Sequence, residues 1–434
     1  MISPGRRVSY DLLCKVELDG LFSDDAANSP AVERLDTRDR HLTTELIKGT
    51  LRWQGFLDYL LAQACSRPWP KVDARLRILL RMSLYQMWRM DRIPDHALVN
   101  EAVALAKRQA GLGSAGFVNA ILRKLCRERP WRQGGFMDSC PPWIRVSLPE
   151  WLWERWAARF GAGRSEEYAL SLNEPAQTAF RLSSAREPAE IASDAGVVAS
   201  ELVPGAYLLA GATHDKWTVD RGVRRFQDEA SQLIPFLLGT VSGWRIWDAC
   251  AAPGGKSAIL CEMCGETGLT VSSDISRSRL FRLADSRMDL SYGCCCRLIL
   301  DARKRPPFRR PFDAVLADVP CSGLGTLRRN PEIRWRIEPE QLGSFRTTQM
   351  QILDAVSHAV RPGGLLLYST CSTEPEENED VITAFLARRT EFRLVRPSDP
   401  PGVQMLLDAD GLMRTFPGVR RWDGFFAALM ECSS

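Results

Sequence analysis

Apolar residues recur at spacings of three and four through Thr43–Ala64, Lys71–Met90, His96–Gln109 and Ala115–Cys126, the period that gives a helix one apolar face. Turn signals separate these stretches. Arg67-Pro68-Trp69-Pro70 and Arg92-Ile93-Pro94-Asp95 each stop one helix and let the next begin at a proline or an aspartate. Residues 1–135 are therefore expected to form a compact all-helical domain. Cys140-Pro-Pro-Trp143 breaks any helix, and a Trp-rich helix carrying Trp151, Trp153 and Trp156 follows. Strands are expected at Ala179–Leu182 and Ala206–Leu209 around a helix at Pro188–Gly196, so residues 136–225 read as a small α/β connector. From there short apolar strands alternate with helical stretches, at Arg245–Cys250, Leu269–Ser273, Cys295–Leu300, Ala314–Ala317 and Leu365–Ser369. That alternation predicts a doubly wound parallel sheet over 226–434, a Rossmann-like fold that binds ligands at the C-terminal ends of its strands.

Three domains suit a chain of 434 residues, since one core rarely serves more than about 250. With 45% hydrophobic and 25% charged residues the composition is that of a globular protein, neither disordered nor fibrous. No apolar run approaches the ~20 residues that span a bilayer, and MISPGRRVSYDLL lacks a signal-peptide core. A cytoplasmic monomer with no membrane partner is expected. The net charge of +4 is uneven: residues 1–135 hold 22 Lys/Arg against 15 Asp/Glu, and the remainder 35 against 38. The basic excess in the helical part suits a polyanion, although a basic face is more often only solvated. Its cations (Arg75, Arg77, Arg81, Arg89, Arg92, Arg123, Lys124, Arg127 and Arg129) alternate with apolar positions, which should leave many on outer faces.

Thirteen cysteines in a large chain with no export signal are expected to be reduced, and mostly small apolar packing residues. Cys261 and Cys264 with Cys294, Cys295 and Cys296 could supply thiolates to a metal. They lack the paired knuckles of structural zinc, and the four histidines (His41, His96, His214, His358) lie far apart, so no metal is expected.

The first strand of the last domain runs into Asp248-Ala-Cys-Ala-Ala-Pro-Gly-Gly-Lys-Ser257, then a helix over Ala258–Cys264. Gly254 and Gly255 allow a ligand to approach backbone at a helix start. Gly255-Lys256-Ser257 imitates the end of a phosphate-binding loop, but that pattern needs glycine where Cys250 stands. The Gly-x-Gly-x-x-Gly dinucleotide fingerprint is also absent, so the ligand need not carry a pyrophosphate. An acid ends or follows each of the next three strands: Asp274, suited to a ribose diol; Asp301, to an adenine amino group; and Asp318, to an ammonium. Singly each is more often a helix cap or a surface residue. Together they describe adenosine joined to an amino acid, as in S-adenosylmethionine. Two cysteines stand at strand ends, Cys321 in Asp318-Val-Pro-Cys-Ser-Gly and Cys371 in Tyr368-Ser-Thr-Cys-Ser. Near Lys256 and a helix start a thiol can be held as the nucleophilic thiolate. Carbon 5 of a pyrimidine attacks an electrophilic methyl only after a nucleophile adds at carbon 6, which gives two thiols a use in addition and release.

The stretches Phe226-Gln-Asp-Glu-Ala-Ser, Asp248–Ser257, Asp318-Val-Pro-Cys-Ser-Gly-Leu-Gly-Thr, Arg329-Asn-Pro-Glu-Ile-Arg-Trp and Tyr368-Ser-Thr-Cys-Ser resemble the RNA cytosine-C5 methyltransferases. Pro375-Glu-Glu-Asn378 and Asp423-Gly-Phe-Phe426 extend the likeness. The helical part resembles the RNA-binding factor NusB, and the combination is similar to the bacterial 16S ribosomal RNA cytosine-C5 methyltransferases of the Sun (RsmB) type. The resemblance implies that Cys371 is the nucleophile and Cys321 assists release. It implies that Cys250, Ala251, Ala252, Pro253, Gly254, Gly255, Lys256, Asp274, Asp301 and Asp318 contact S-adenosylmethionine, with Asp318 and Lys256 also reaching the cytosine. Asn330 stands where the family's loop leads one to expect histidine. A DNA cytosine-C5 methyltransferase, with Cys321 as nucleophile, and an inert RNA-binding factor are the competing readings. Trp335, close behind Arg328 and Arg329, is either a base-stacking aromatic or a packing residue.

Overall fold

The computed structural model describes residues 2–90, 93–110, 112–182, 196–209, 223–280, 295–397, 401–416 and 422–433. They fall into two compact units, Met1–Pro175 with Leu327–Pro339, and Ala176–Thr326 with Glu340–Ser434. The helix expected over Pro188–Gly196 falls, but for Gly196, outside the described residues, as do Arg92, His214 and Cys294.

The first unit is helical: α1 (Pro4–Asp19), α2 (Thr37–Arg52), α3 (Gln54–Ala64), α4 (Ala74–Arg89), α5 (Asp95–Ala110), α6 (Leu112–Glu128), α7 (Glu150–Phe160) and α8 (Ala162–Ser171). Local chemistry fixes several ends. Ser3 caps α1, which has Pro4 in its first turn and stops at Gly20 with φ 78°; Asp36 and Asp73 cap α2 and α4. The apolar faces meet in one core built on residues such as Leu13, Leu46, Phe56, Leu60, Leu79 and Leu122.

Two expectations are corrected here. The continuous helix Thr43–Ala64 is broken at Trp53. The carbonyls at the break accept from residues far along the chain: the Trp335 indole N–H donates to Leu51 O at 3.0 Å, and Arg334 Nη1 to Arg52 O at 3.3 Å. Nothing local signals this, because the donors come from Leu327–Pro339. The cations, too, are not all outward. Arg75, Arg89, Arg123 and Arg127 are exposed, but Arg81 is buried, its guanidinium bonded to Glu17 of α1 and, at 2.6 and 2.8 Å, to Asp58 of α3.

Segment 327–339 is held to this unit throughout. Arg334, fully buried, donates to Ser147 O at 3.0 Å and to Asn173 Oδ1 at 2.9 Å, and Glu332 accepts from Ser23 N–H at 2.8 Å. The Trp335 ring lies on Gly55, where an added Cβ would stand 2.7 Å from it. Trp335 is thus committed to packing. On α7, Trp153 and Trp156 are also buried, Trp156 against Tyr168 with ring centroids 4.5 Å apart.

In the second unit, β1 (Ala179–Leu182), β2 (Val197–Ala199), β3 (Ala206–Leu209) and β4 (Val223–Phe226) form an antiparallel sheet in the order β2-β3-β1-β4. Both strands expected in this stretch are present with the expected bounds. A short helix, α9 (Glu229–Leu233), leads to the main sheet of β5 (Arg245–Asp248), β6 (Leu269–Asp274), β7 (Cys295–Ile299), β8 (Phe312–Asp318), β9 (Val360–Thr370), β10 (Phe392–Leu394), β11 (Met413–Arg414) and β12 (Phe426–Cys432). Its order is β10-β12-β9-β8-β5-β6-β7, with β11 beside β12. The five strands from β7 to β9 are parallel; β12 runs antiparallel to β9 and to β10, and the two extend that edge. The five strands expected form the parallel part of the sheet, and the antiparallel pairings of β12 make the whole sheet mixed. An apolar run such as Phe426–Met430 marks a strand but carries no sign of its direction. Helices α10 (Gly255–Cys264), α11 (Pro339–Ser357) and α12 (Glu379–Arg388) lie between strands in sequence. Trp247, Leu316, Leu367 and Tyr368 are fully buried, as central parallel strands covered on both faces require.

One cysteine pair also departs from expectation. Cys261 of α10 and Cys295 of β7 form a disulfide, the fold having brought their Cα atoms to 6.6 Å from 34 residues apart. Cys250, Cys321 and Cys371 are among the cysteines outside this disulfide.

Candidate active site

The strand order reverses at β5, whose neighbours are β6 and β8, and a crevice at the strand ends there is where an open α/β sheet takes its ligand. Asp248, Asp274 and Asp318 end β5, β6 and β8, and Asp301 follows β7 by two residues. Cys321 and Cys371 lie just beyond β8 and β9. Parallel pairing thus delivers every predicted site residue to one end of one sheet.

The loop after β5 is tied down by backbone. Ala251 N–H donates to Ser273 O at 2.8 Å, and Ala252 N–H to Asp274 Oδ2 at 3.2 Å. Gly254, with φ 95°, begins α10 in a conformation that L side chains rarely adopt, and no side chain caps the helix there. At Gly255 an added Cβ would stand 2.3 Å from Gln227 Oε1. The Phe226–Ser231 motif thereby acquires a structural meaning: Gln227 braces the glycine loop, Asp228 caps α9, and Glu229 accepts from the Trp422 indole.

The carboxylates differ in their surroundings. Asp274 accepts from Ala252 N–H on one oxygen and from Ser276 N–H, at 2.8 Å, on the other. Asp301 grips Arg303 with both oxygens, at 2.9 and 2.8 Å, and that bond holds its carboxyl below the usual range. Asp318 accepts from Lys256 Nζ at 2.7 Å and from Ser369 Oγ at 2.7 Å. Lys256, the chain's own ammonium beside Asp318, also lies 5.2 Å from the Phe425 ring. Asp248, at the same strand ends, is fully buried and accepts from Ser257 Oγ at 2.6 Å. Burial, opposed by Ser257 and reinforced by Asp318, pushes its carboxyl up to about 7. Burial and the three neighbouring aspartates push the Cys250 thiol well above its ordinary value, which leaves it unsuited to nucleophilic work.

The two motif cysteines meet. Cys321 Sγ and Cys371 Sγ are 3.2 Å apart, and Cys371 N–H donates to Cys321 Sγ at 3.3 Å. The hydrogen bond with Cys371, then burial, the Cys371 charge and Glu377 raise the Cys321 thiol well above its usual value, so it is held protonated. Ser369, two residues before Cys371, bonds the same Asp318 that pairs with Lys256, which links the thiol pair to the Gly-rich loop.

Residue-level sequence reasoning missed the groups behind the thiols. Glu377 is fully buried and accepts from Ser322 N–H at 2.7 Å, Gln349 Nε2 at 3.0 Å and the Ser322 and Ser372 hydroxyls. Gly325 and Gly424 cross with Gly424 N–H donating to Gly325 O at 2.8 Å, while Gly325 N–H donates to Cys371 O at 2.9 Å. Glu377 and Gly424 lie in the two motifs that only extended the family likeness, and nothing in periodicity separates Glu377 from Glu376.

The comparisons agree with this architecture. A family model described as "16S rRNA methyltransferase RsmB/F" matches residues 235–431, and one described as "NusB family" matches residues 3–127. A Bacillus subtilis protein named "Probable ribosomal RNA small subunit methyltransferase B" is 31% identical over 440 residues, covering 98% of each chain. The Thermus thermophilus protein named "Ribosomal RNA small subunit methyltransferase B" is 36% identical over 368 residues, covering 84% of this chain and 82% of its own. A solved structure described as "Crystal Structure of PH0851" superposes with TM-score 0.84 at 26% identity over 99% of both chains. With NusB-like helices, a methyltransferase sheet and paired strand-end cysteines in one chain, the protein belongs to the ribosomal RNA small subunit methyltransferase B family.

Proposed function

We propose that the protein transfers a methyl group from S-adenosylmethionine to carbon 5 of a cytosine in 16S ribosomal RNA, with Cys371 adding to carbon 6 and Cys321 assisting release. The observation that carries this reading is the 3.2 Å approach of the two sulfurs beside a loop tied to Asp318 and Lys256. The residues present fit the methyl donor: an uncapped helix start at two glycines, one with φ 95°, and carboxylates at the ends of successive strands. Cys250 to Lys256, Asp274, Asp301 and Asp318 would hold it. When bound, S-adenosylmethionine supplies a methyl carried on a sulfonium, electrophilic toward an activated carbon.

The chain's own groups do the activating. Cys371 Sγ gives a pair to carbon 6 of the cytosine, and the carbon 5–carbon 6 π pair moves onto carbon 5, which becomes enamine-like and accepts the methyl. Loss of the carbon 5 proton restores the double bond, and Cys371 Sγ leaves with its own pair. Cys321, held as a thiol against Cys371, can hand its proton to the departing sulfur and, as thiolate, take the carbon 5 proton, so that one proton goes to solvent per turnover. The basic NusB-like helices are the part assigned to hold RNA.

The test is transfer of labelled methyl to ribosomal RNA from a strain lacking the gene, with bisulfite mapping of the product. Cys371→Ala is expected to abolish transfer, and Cys321→Ala to trap a covalent RNA adduct. An adduct that persists in Cys371→Ala and vanishes in Cys321→Ala reverses the assignment. RNA binding with no transfer to any substrate state favours a non-enzymatic factor.

A further inference from the structure

We infer that Glu377 is the positioning residue that keeps Cys321 in place against Cys371 for the release half of the reaction; this rests on the roles just proposed for the two thiols. Glu377 touches neither sulfur. It acts on the residues that flank them. Ser322 follows Cys321 and bonds Glu377 through both its N–H and its hydroxyl, while Gln349 Nε2 spans Glu377 Oε1 at 3.0 Å and Pro320 O, on the other side of Cys321, at 3.1 Å. One carboxylate therefore fixes the backbone on both sides of Cys321.

The Cys371 loop depends on it less. Ser372 gives Glu377 one hydroxyl bond, but the loop is also held by Asn378, which accepts from Thr370 Oγ1 at 2.6 Å and donates to Ser372 O at 3.0 Å. Glu377 is in turn anchored through its own carbonyl, which accepts from the Tyr368 hydroxyl at 2.6 Å. A carboxyl without exposed surface is costly unless donors converge on it, and here four do, all within reach of the two loops. A purely structural acid in this place would disturb both thiols alike. The asymmetry of the bonds instead places the consequence on Cys321, hence on release.

The full-length protein, with S-adenosylmethionine and ribosomal RNA from a strain lacking the gene, provides the test. Turnover and the fraction of enzyme in a denaturation-resistant RNA adduct are measured for wild type, Cys321→Ala and Glu377→Gln. Glu377→Gln is expected to lower turnover by up to about 100-fold, the scale of a displacement near 1 Å. It is also expected to accumulate adduct as Cys321→Ala does and to bind S-adenosylmethionine within twofold of wild type. Turnover within twofold of wild type overturns the inference. So does a fall in turnover without adduct while Cys321→Ala accumulates it, and in that case the thiol roles stand. If neither variant accumulates adduct, the thiol roles fail and the positioning role falls with them. Should Glu377→Gln not fold, Ser322→Ala removes the hydroxyl bond to Glu377, with those to Ser372 Oγ at 3.2 Å and Leu324 N–H at 3.4 Å, and keeps the Ser322 N–H bond to Glu377; a rise in adduct at an unchanged melting temperature is the corresponding result.

Discussion

Replacing Gly325 by alanine tests how tightly the site is built from backbone alone. The added Cβ would stand 2.0 Å from Gly424 O, 2.7 Å from Gly424 C and 2.9 Å from Cys371 O. All three are main-chain atoms, so no rotamer change relieves the clash, and the crossing strands of chain must part by about 1 Å. Parting stretches two short bonds, from Gly424 N–H to Gly325 O at 2.8 Å and from Gly325 N–H to Cys371 O at 2.9 Å, past useful length. Overpacking of this kind costs about 1–3 kcal/mol, and each buried group left unpaired costs about as much. With one overpacked contact and two bonds lost, a destabilisation of at least about 3 kcal/mol is expected. Since Cys371 is itself an acceptor in the crossing, its thiol moves as well, and transfer should fall on the order of 100-fold. Urea unfolding reads the first quantity and single-turnover methyl transfer the second. An unfolding midpoint at the wild-type value together with transfer within twofold would refute the reasoning, because it would mean that the two loops yield without cost.

Two further outcomes follow from buried charge. Arg81→Met leaves Glu17 and Asp58 facing each other without their shared cation and should cost about 3–5 kcal/mol in chemical unfolding, the scale of a broken buried pair; a loss below about 1 kcal/mol, as for an exposed pair, counts against burial of the triad. Asp248 has its folded pKa raised from 3.8 to about 7, so its contribution favours folding at low pH and is lost as pH rises toward 7. Asp248→Asn should therefore gain stability relative to wild type between pH 5 and pH 8, and an unchanged difference between those two unfolding measurements would remove the burial argument.

Much of the site was legible in the linear sequence because its parts lie at strand ends. Apolar runs at 245–250, 269–273, 314–317 and 365–369 place β5, β6, β8 and β9, and parallel pairing then carries Asp248, Asp274, Asp318, Cys321 and Cys371 to one edge. The helices of the first unit were equally open to reading, since an amphipathic period of 3.6 is a local property and Ser3, Asp36 and Asp73 mark their starts. What periodicity cannot express is a partner tens to hundreds of residues away. The break at Trp53 is completed by Arg334 and Trp335, Arg81 sits between acids of two other helices, and Cys261 bonds Cys295. The local pattern gave none of these pairings, and it left the antiparallel β12 without a direction.

The same division holds within the chemistry. Sequence by itself determined which groups are available: two thiols, a glycine loop, a lysine and a series of aspartates, each following a strand that one can count. Only the tertiary structure decided which are free to react. It pairs Lys256 with Asp318, raises Cys250 among three carboxylates, sets Cys321 and Cys371 3.2 Å apart and brings Glu377 behind them. The physical reason is that residue type fixes what a group can donate, accept or attack with, whereas burial and distance, which exist only in the folded chain, fix its charge and its partner.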